Sequence, residues 1–435
     1  MATRTMIKSS DLLKRYNLHH GPQRLRVVDS ETKTYEIVYE GSDEFERLML
    51  SLYLLDKYMP NERQLCFETR TINAVESIVE DAERLFHFLT DKKLSIKVEA
   101  SKQGGIAKQD RLFSDNQLSD DRGSPCLFSG GLDSAAGAIV LMKNNRDPIL
   151  SHTATGNIAL GKASRLRSQS SLRHLPLIIT DMRTEGADFV TGKTRGLIFL
   201  SNALVLASSL GRDHLFLPEN GPLMINPHVS LQAEPTKNAH PYLINTLEKI
   251  FKRTTQFQVR IDPIFKDMTK AEVAAKVLNE GIIDISWSCF NVQGQSKMCG
   301  MCFACFVRRL SLLALDHEEP PGTYELDPFA VDRSLLTGTR VKNLDILHDS
   351  FLFLERSLLD ETVITNELLN VPNGFFSDPI GLLKRFSLDM FLGLQKYISK
   401  AKHLGTLGNF AIKILRKIPP DYLRQREEEL RLQNA

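Results

Sequence analysis

No apolar run in this 435-residue chain comes near the roughly 18 residues that a membrane-spanning helix needs. The first residues, "MATRTMIKSSDLLKRY", also lack the apolar core of a secretory signal. A cytoplasmic protein is therefore expected. Charge of one sign is missing too: 55 Lys and Arg face 53 Asp and Glu, a formal net charge of +2. That balance does not favour a polyanion binder, and no basic stretch interleaved with aromatics marks a nucleic-acid surface. No internal repeat, no GxSxG elbow, no HExxH pair and no Cys-His pair outside one cysteine cluster can be found. A covalent enzyme intermediate is thus not required.

Cysteine is scarce and uneven. Four of the six lie between Cys289 and Cys305, where loops so short indicate a metal rather than disulfides. Cys66 and Cys126 stand alone and read as small apolar core residues.

The length allows two or three domains with substantial cores. Residues 1–120 mix strand-like alternation ("RLRVVDS", "TYEIVYE") with helical patterns ("DEFERLMLSLYLLDKY", "AVESIVEDAERLFHFLTD"). They end in a polar, Gly- and Ser-rich linker that places a boundary near Ser124. From 121 to 318, short apolar runs ("PCLFS", "DPILSHTA", "LPLIIT", "HLFLPEN", "FQVRIDPI") alternate with amphipathic segments. This is the pattern of an α/β domain, a parallel sheet with helices on both faces, preceded by an α+β extension. Residues 319–435 carry only helical periodicity. Ligands of such sheets bind beyond the carboxyl ends of the strands, which directs attention to "SGGLDS", "TATGNIALGK" and "PENGPLMINP".

In "FSGGLDS" a strand is predicted to end at about Phe128 and a helix to open near Leu132. Unpaired amides and the positive end of the helix dipole attract phosphate there. Gly130 and Gly131 allow positive φ and close approach of an anion. Ser129 and Ser134 can donate hydrogen bonds, and Asp133 suits either bracing of the loop or a hold on Mg²⁺. The glycines alone fit an ordinary strand-to-helix turn equally well. "GNIALGKA" nearly spells a kinase-type phosphate loop, but Ala163 stands where a Ser or Thr hydroxyl must hold Mg²⁺.

"SWSCFNVQGQSKMCGMCFACFVRR" spaces Cys289, Cys299, Cys302 and Cys305 as C-x9-C-x2-C-x2-C. Four thiolates suit a closed tetrahedral Zn²⁺ site, with Gly300 forming the turn and a helix from about Phe303 returning Cys305 to the metal. An iron-sulfur cluster uses the same ligands. Four ligands leave no thiol for catalysis.

Ser-Gly-Gly-Leu-Asp-Ser resembles the pyrophosphate-binding loop of the N-type ATP pyrophosphatases. "FSGGLDS", "RGLIFLSNALVLAS", "TKAEV" before "SWSCF", and "CGMCFACFVRR" occur in the order of the QueC family, the 7-cyano-7-deazaguanine synthases, over about Ser124 to Leu315. The flanking regions are similar to those of longer QueC-like proteins of bacterial antiphage defence. The resemblance implies an enzyme that uses ATP and Mg²⁺ to adenylate the carboxylate of 7-carboxy-7-deazaguanine, releasing pyrophosphate, and passes the acid to an amine. Ammonia would give the amide and then the nitrile; in the defence proteins the acceptor would be an amine of a partner protein.

Carried onto this chain, the resemblance makes Phe128, Ser129, Gly130, Gly131, Leu132, Asp133, Ser134, Ala135 and Ala136 the ATP loop, and the four cysteines the zinc site. Arg195 would clamp a phosphate or carboxylate, though beside Lys193 it also fits a solvated basic face. Lys270 would stabilise charge on the α phosphate, while "TKAE" is equally a capping box of Thr269 and Glu272. Glu219, Asn220 and Asn226 would read a guanine-like edge, or simply form turns. Arg308 or Arg309 would meet a substrate carboxylate. The family's Tyr-Gly-Gln is absent; only Gly156 and Asn157 remain of it. Two rival classes stay open: a degenerate nucleotide- or deazaguanine-sensing module that binds partner proteins through the terminal regions, and an RNA-modifying enzyme of the same fold.

Overall fold

The computed structural model describes residues 7–8, 23–28, 34–39, 44–58, 61–69, 71–100, 123–154, 157–182, 192–230, 232–233, 236–290 and 296–434. The chain from 123 to 315 alternates strand and helix, as its apolar runs imply. Its strands are β6 (Pro125–Leu127), β7 (Ile149–Ala154), β8 (Leu177–Asp181), β9 (His214–Phe216) and β10 (Arg260–Asp262). They pair in parallel in the order β10-β9-β6-β7-β8. Every residue of β7 is buried, which is why this central strand shows no polar alternation. The order reverses beside β6: the chain first runs outward through β7 and β8, then returns to β9 on the other side. A crevice opens at such a switch point, beyond the carboxyl ends of β6 and β9.

The amino-terminal segment is not confined to an extension of its own. β2 (Gln23–Val28) and β3 (Thr34–Tyr39) form an antiparallel pair that lengthens the main sheet at its β8 edge. β1 (Ile7–Lys8), β4 (Gln64–Thr69) and β5 (Ser95–Ala100) make a separate parallel sheet. The early helices are α1 (Glu44–Tyr58), α2 (Ile72–Glu76) and α3 (Val79–Thr90). Those between the main strands are α4 (Leu132–Lys143), α5 (Asn157–Ser168), α6 (Arg195–Ser209), α7 (Gly221–Ile225), α8 (Pro241–Thr255), α9 (Lys270–Ala275) and α10 (Phe303–Ala314).

Two cores lie on the two faces of the main sheet. On one, Leu197, Leu204, Leu243 and Phe251 of α6 and α8 meet Leu48 and Leu52 of α1, Phe86 of α3 and Phe67 of β4. On the other, Leu132 and Ile139 of α4, Leu166 of α5, Val273 of α9 and Phe306 and Leu310 of α10 pack together. The carboxyl-terminal helices are α11 (Thr339–Leu359), α12 (Glu361–Glu367), α13 (Pro379–Lys400), α14 (Thr406–Leu415) and α15 (Pro420–Asn434). Of these, α11, α14, α15 and most of α13 join this second core, while Ile364 of α12 and Leu382 of α13 pack in the first. Phe351, Phe386, Phe391, Leu407 and Leu423 are continuous with Phe306 and Leu310. Lone Cys126 is fully buried against Leu141 and Phe216, and Cys66 is buried in β4. Among the described residues no helix is long and apolar enough to cross a membrane.

Candidate active site

The glycine loop sits at the switch point. After β6 the chain turns through Gly130, with φ at 80°, and enters α4 from Gly131, whose φ of −85° is ordinary. Only Gly130 therefore needs a glycine's freedom. A Cβ there would also meet the Ala163 backbone of α5 at 2.8 Å. No side chain caps α4, so its first turn has no side-chain acceptor at the cap. The serines brace the loop: Ser134 Oγ donates to the Gly131 carbonyl at 2.9 Å, and Ser129 Oγ accepts from the Gly131 amide at 3.3 Å.

Two more segments converge on Asp133 from the adjoining strand ends. Lys270, the first residue of α9 after β10, places its ammonium 2.8 Å from Asp133 Oδ1. Asn220, after β9, donates through Nδ2 to Asp133 Oδ2 at 2.8 Å and accepts from the Leu223 amide as the cap of α7. Glu219 completes the cluster. Burial pushes its carboxyl up to about 8; the neighbouring Asp133 charge adds to this and Lys270 opposes it. At neutral pH Glu219 therefore keeps its proton.

Lys270 is held from behind by the carboxyl-terminal helices. The capping box of α9 is present, with Thr269 and Glu272 exchanging hydrogen bonds, so capping and site geometry are one device here. Glu272 Oε1 also meets Arg426 of α15 at 2.7 Å and Arg385 of α13 at 2.9 Å. Burial alone would raise the Glu272 carboxyl; the two arginines outweigh it and hold it below its usual range. Arg426, itself buried, pairs with Asp389 at 2.7 Å, and Asp389 accepts from Thr269 Oγ1 at 2.5 Å.

On the Gly130 side lie groups that the sequence motifs did not single out as site residues. The Trp287 amide donates to the Gly130 carbonyl at 3.0 Å. Lys162 of α5 stands over the Trp287 ring, its Nζ 2.6 Å from the centroid, and burial brings its ammonium down to about 8 against the opposing effect of Cys289. His152 Nδ1 lies 2.8 Å from the Phe128 carbonyl at the end of β6, and burial lowers its pKa. "GNIALGKA" does not form a phosphate loop, because Asn157–Ser168 is helix throughout. Its lysine nevertheless lies on Trp287, whose amide bonds the glycine loop.

The four cysteines converge. Their sulfurs all lie within 4.8 Å of one another, with Sγ separations of 3.4 Å for Cys302–Cys305 and 3.9 Å for Cys299–Cys305 and Cys289–Cys302. A tetrahedron of bonds of about 2.3 Å has edges of about 3.8 Å, so the donors fit one Zn²⁺, and a four-iron cube would need a wider cage. Cys299 is held far below the ordinary thiol range by hydrogen bonds from Cys289, Cys302 and Cys305. Gly300, with φ at 75°, makes the turn within the first CxxC.

Other expected residues take different places. Arg308 does not face a ligand: it is fully buried, donating to Glu319, Ser286, Ser288 and the Ile283 carbonyl. It ties the cysteine segment to the fold. Asn226 is a turn residue, left-handed at φ 48° and donating to the Thr236 carbonyl. Arg309 pairs with Asp327 between the rings of Tyr324 and Tyr397. Arg195 opens α6 against Tyr53, with a buried Nε that has no hydrogen-bond partner. No described contact joins it to Asp133, Glu219 or Lys270, and Lys193 pairs with Asp91. Gly156 and the side chain of Asn157 lie outside the described residues.

Residues 159–315 match the family described as "Queuosine biosynthesis protein QueC". A 7-cyano-7-deazaguanine synthase from Rhizorhabdus wittichii is 26% identical over 224 residues, covering 45% of this chain and 93% of that protein. One from Magnetococcus marinus is 28% identical over 120 residues, 26% of this chain and 49% of the other. The family match takes in Lys162, Lys270 and the four cysteines, and begins downstream of the glycine loop.

Proposed function

We propose, for a chain that is QueC-like from 159 to 315, that the crevice at the β6/β9 switch point activates a carboxylic acid with ATP and hands it to an amine. The acid is 7-carboxy-7-deazaguanine or a close relative, since the synthases similar to this chain are named for the 7-cyano product. The observation that carries this reading is the meeting of three segments at Asp133: the uncapped start of α4, Glu219 and Asn220 after β9, and Lys270 after β10.

The first amides of α4 would grip the phosphates that leave as pyrophosphate. Lys270 would neutralise charge at the phosphorus under attack by the substrate carboxylate, where a preorganised cation counts for most. Asp133, paired with Lys270, and Glu219, which keeps its proton, form a pair of hard oxygen donors. They would hold Mg²⁺, whose chemistry is to neutralise the departing pyrophosphate. The acyl-adenylate is then open to attack by an amine, ammonia or an amine of a protein, with AMP as leaving group. Positioning and charge carry the rate, since the substrate's own carboxylate is the nucleophile and no covalent enzyme intermediate is needed. The thiolate centre is structural, holding Trp287 against the loop.

The test is release of pyrophosphate from ATP in the presence of 7-carboxy-7-deazaguanine. Lys270→Met is expected to lower kcat by about 10²–10³, the usual loss for one preorganised donor, and Asp133→Asn by a similar factor. Full activity in either variant would remove this assignment. ATP binding without turnover would favour a sensing module.

A further inference from the structure

We infer that Lys162 is a second cationic ligand of the phosphate chain, meeting it from the Gly130 side while Lys270 serves the Asp133 side. This rests on the reading of the glycine loop as a nucleotide site. Three observations carry it. The backbone of α5 touches the loop at Ala163, next in sequence to Lys162, so closely that even a methyl on Gly130 has no room. Trp287, the chain's single tryptophan, is bonded to the Gly130 carbonyl and carries the Lys162 ammonium on its ring face. Finally, Lys162 Nζ is buried and makes no hydrogen bond.

An ammonium has three N–H donors and strongly prefers to use them. Resting on an indole satisfies the charge in part but none of the donors. A buried cation left in that state beside a row of helix amides is suited to an anion that binds both. The Lys162 side chain can swing from the ring to a phosphate oxygen while Trp287 stays fixed by its backbone bond. α5 thus supplies a lysine to the loop without itself being a phosphate loop.

The full-length protein is titrated with magnesium pyrophosphate and with ATP by calorimetry, following Trp287 emission in parallel. Wild type is expected to bind both and to change its emission as the ammonium leaves the ring. Lys162→Met is expected to bind both about 10- to 100-fold more weakly, the loss of one charge-assisted hydrogen bond, and to show no emission change. Lys162→Arg should recover most of the affinity, and a circular dichroism spectrum like wild type's shows that each variant folds. Should Lys162→Met fail to fold, Lys162→Gln replaces it. A neutral variant that binds within about twofold of wild type overturns the role of Lys162 and leaves the nucleotide reading intact. Loss of bound zinc with unaltered pyrophosphate affinity also overturns it, because the ammonium would then serve the thiolates. Wild type that binds neither probe refutes the nucleotide reading, and Lys162 with it.

Discussion

The thiolate centre and the Asp133 cluster are built in opposite ways. The four cysteines lie between 289 and 305, so one turn at Gly300 and one helix start at Phe303 suffice to gather them. Asp133, Glu219, Asn220 and Lys270 come from three different strand ends, and helices as distant as α15 fix the last of them. The first centre is local and would be closed by an ion. The second is assembled by the whole sheet and holds a lysine on Asp133 and a proton on Glu219. A locally encoded site can fail alone, whereas a globally assembled one fails when any of its supports does.

The largest effect that would sharpen this contrast is removal of the metal. Elemental analysis is expected to find one zinc per chain, and Cys302→Ser to lose it. Structural zinc contributes of the order of 10 kcal/mol to the fold of its own segment, so hydrogen exchange should show release of residues 287–305 while β6 to β9 stay protected. Uniform loss of protection would break the distinction between local and global.

Next in size is Arg426, which touches no candidate ligand. Its removal leaves Asp389 and Glu272 buried without their common partner. Breaking a buried pair from one side costs about 3–5 kcal/mol. Arg426→Met is expected to lower thermal stability accordingly and, by loosening the cap of α9, to reduce pyrophosphate release as well. Restoring charge balance with Arg426→Met and Asp389→Asn together should recover stability before activity. Recovery of both in step would mean that α15 supports the fold and not Lys270 in particular.

The same contrast decides what could be read from the chain in advance. The spacing of Cys289 to Cys305 and the run from Phe128 to Ser134 are local signals, so the thiolates and the loop were both legible. Alternating apolar runs likewise located all five strands of the parallel sheet. Arg308 misled because a basic residue behind a cysteine motif looks available, and only the fold shows that Glu319, eleven residues on, claims it. Lys162 was hidden by the opposite circumstance. It lies in a segment that fails as a phosphate loop, and nothing in "GNIALGKA" says that α5 packs on Gly130. The β2–β3 pair read correctly as strands, but their union with β8 depends on an edge that sequence periodicity does not describe.

The smallest effect expected, and the most specific to the assembled site, is a pH dependence. Folded, Glu219 keeps its proton up to about 8, against an ordinary value of 4.5. Between those values the folded chain binds more protons than the unfolded one, so this residue's contribution is complete below the lower value and is lost as pH rises through the upper. Glu219→Gln keeps a donor toward Asp133 and removes the titration. Its melting temperature is expected to match wild type below the ordinary carboxylate range and to rise progressively above it as the pH approaches about 8. A parallel offset at every pH would show that the glutamate titrates in the folded chain as it does unfolded. Glu219 would then bring its own negative charge to the cluster at neutral pH, beside the Asp133–Lys270 pair. That arrangement would need a resident cation to be stable, which melting curves with and without added Mg²⁺ would reveal.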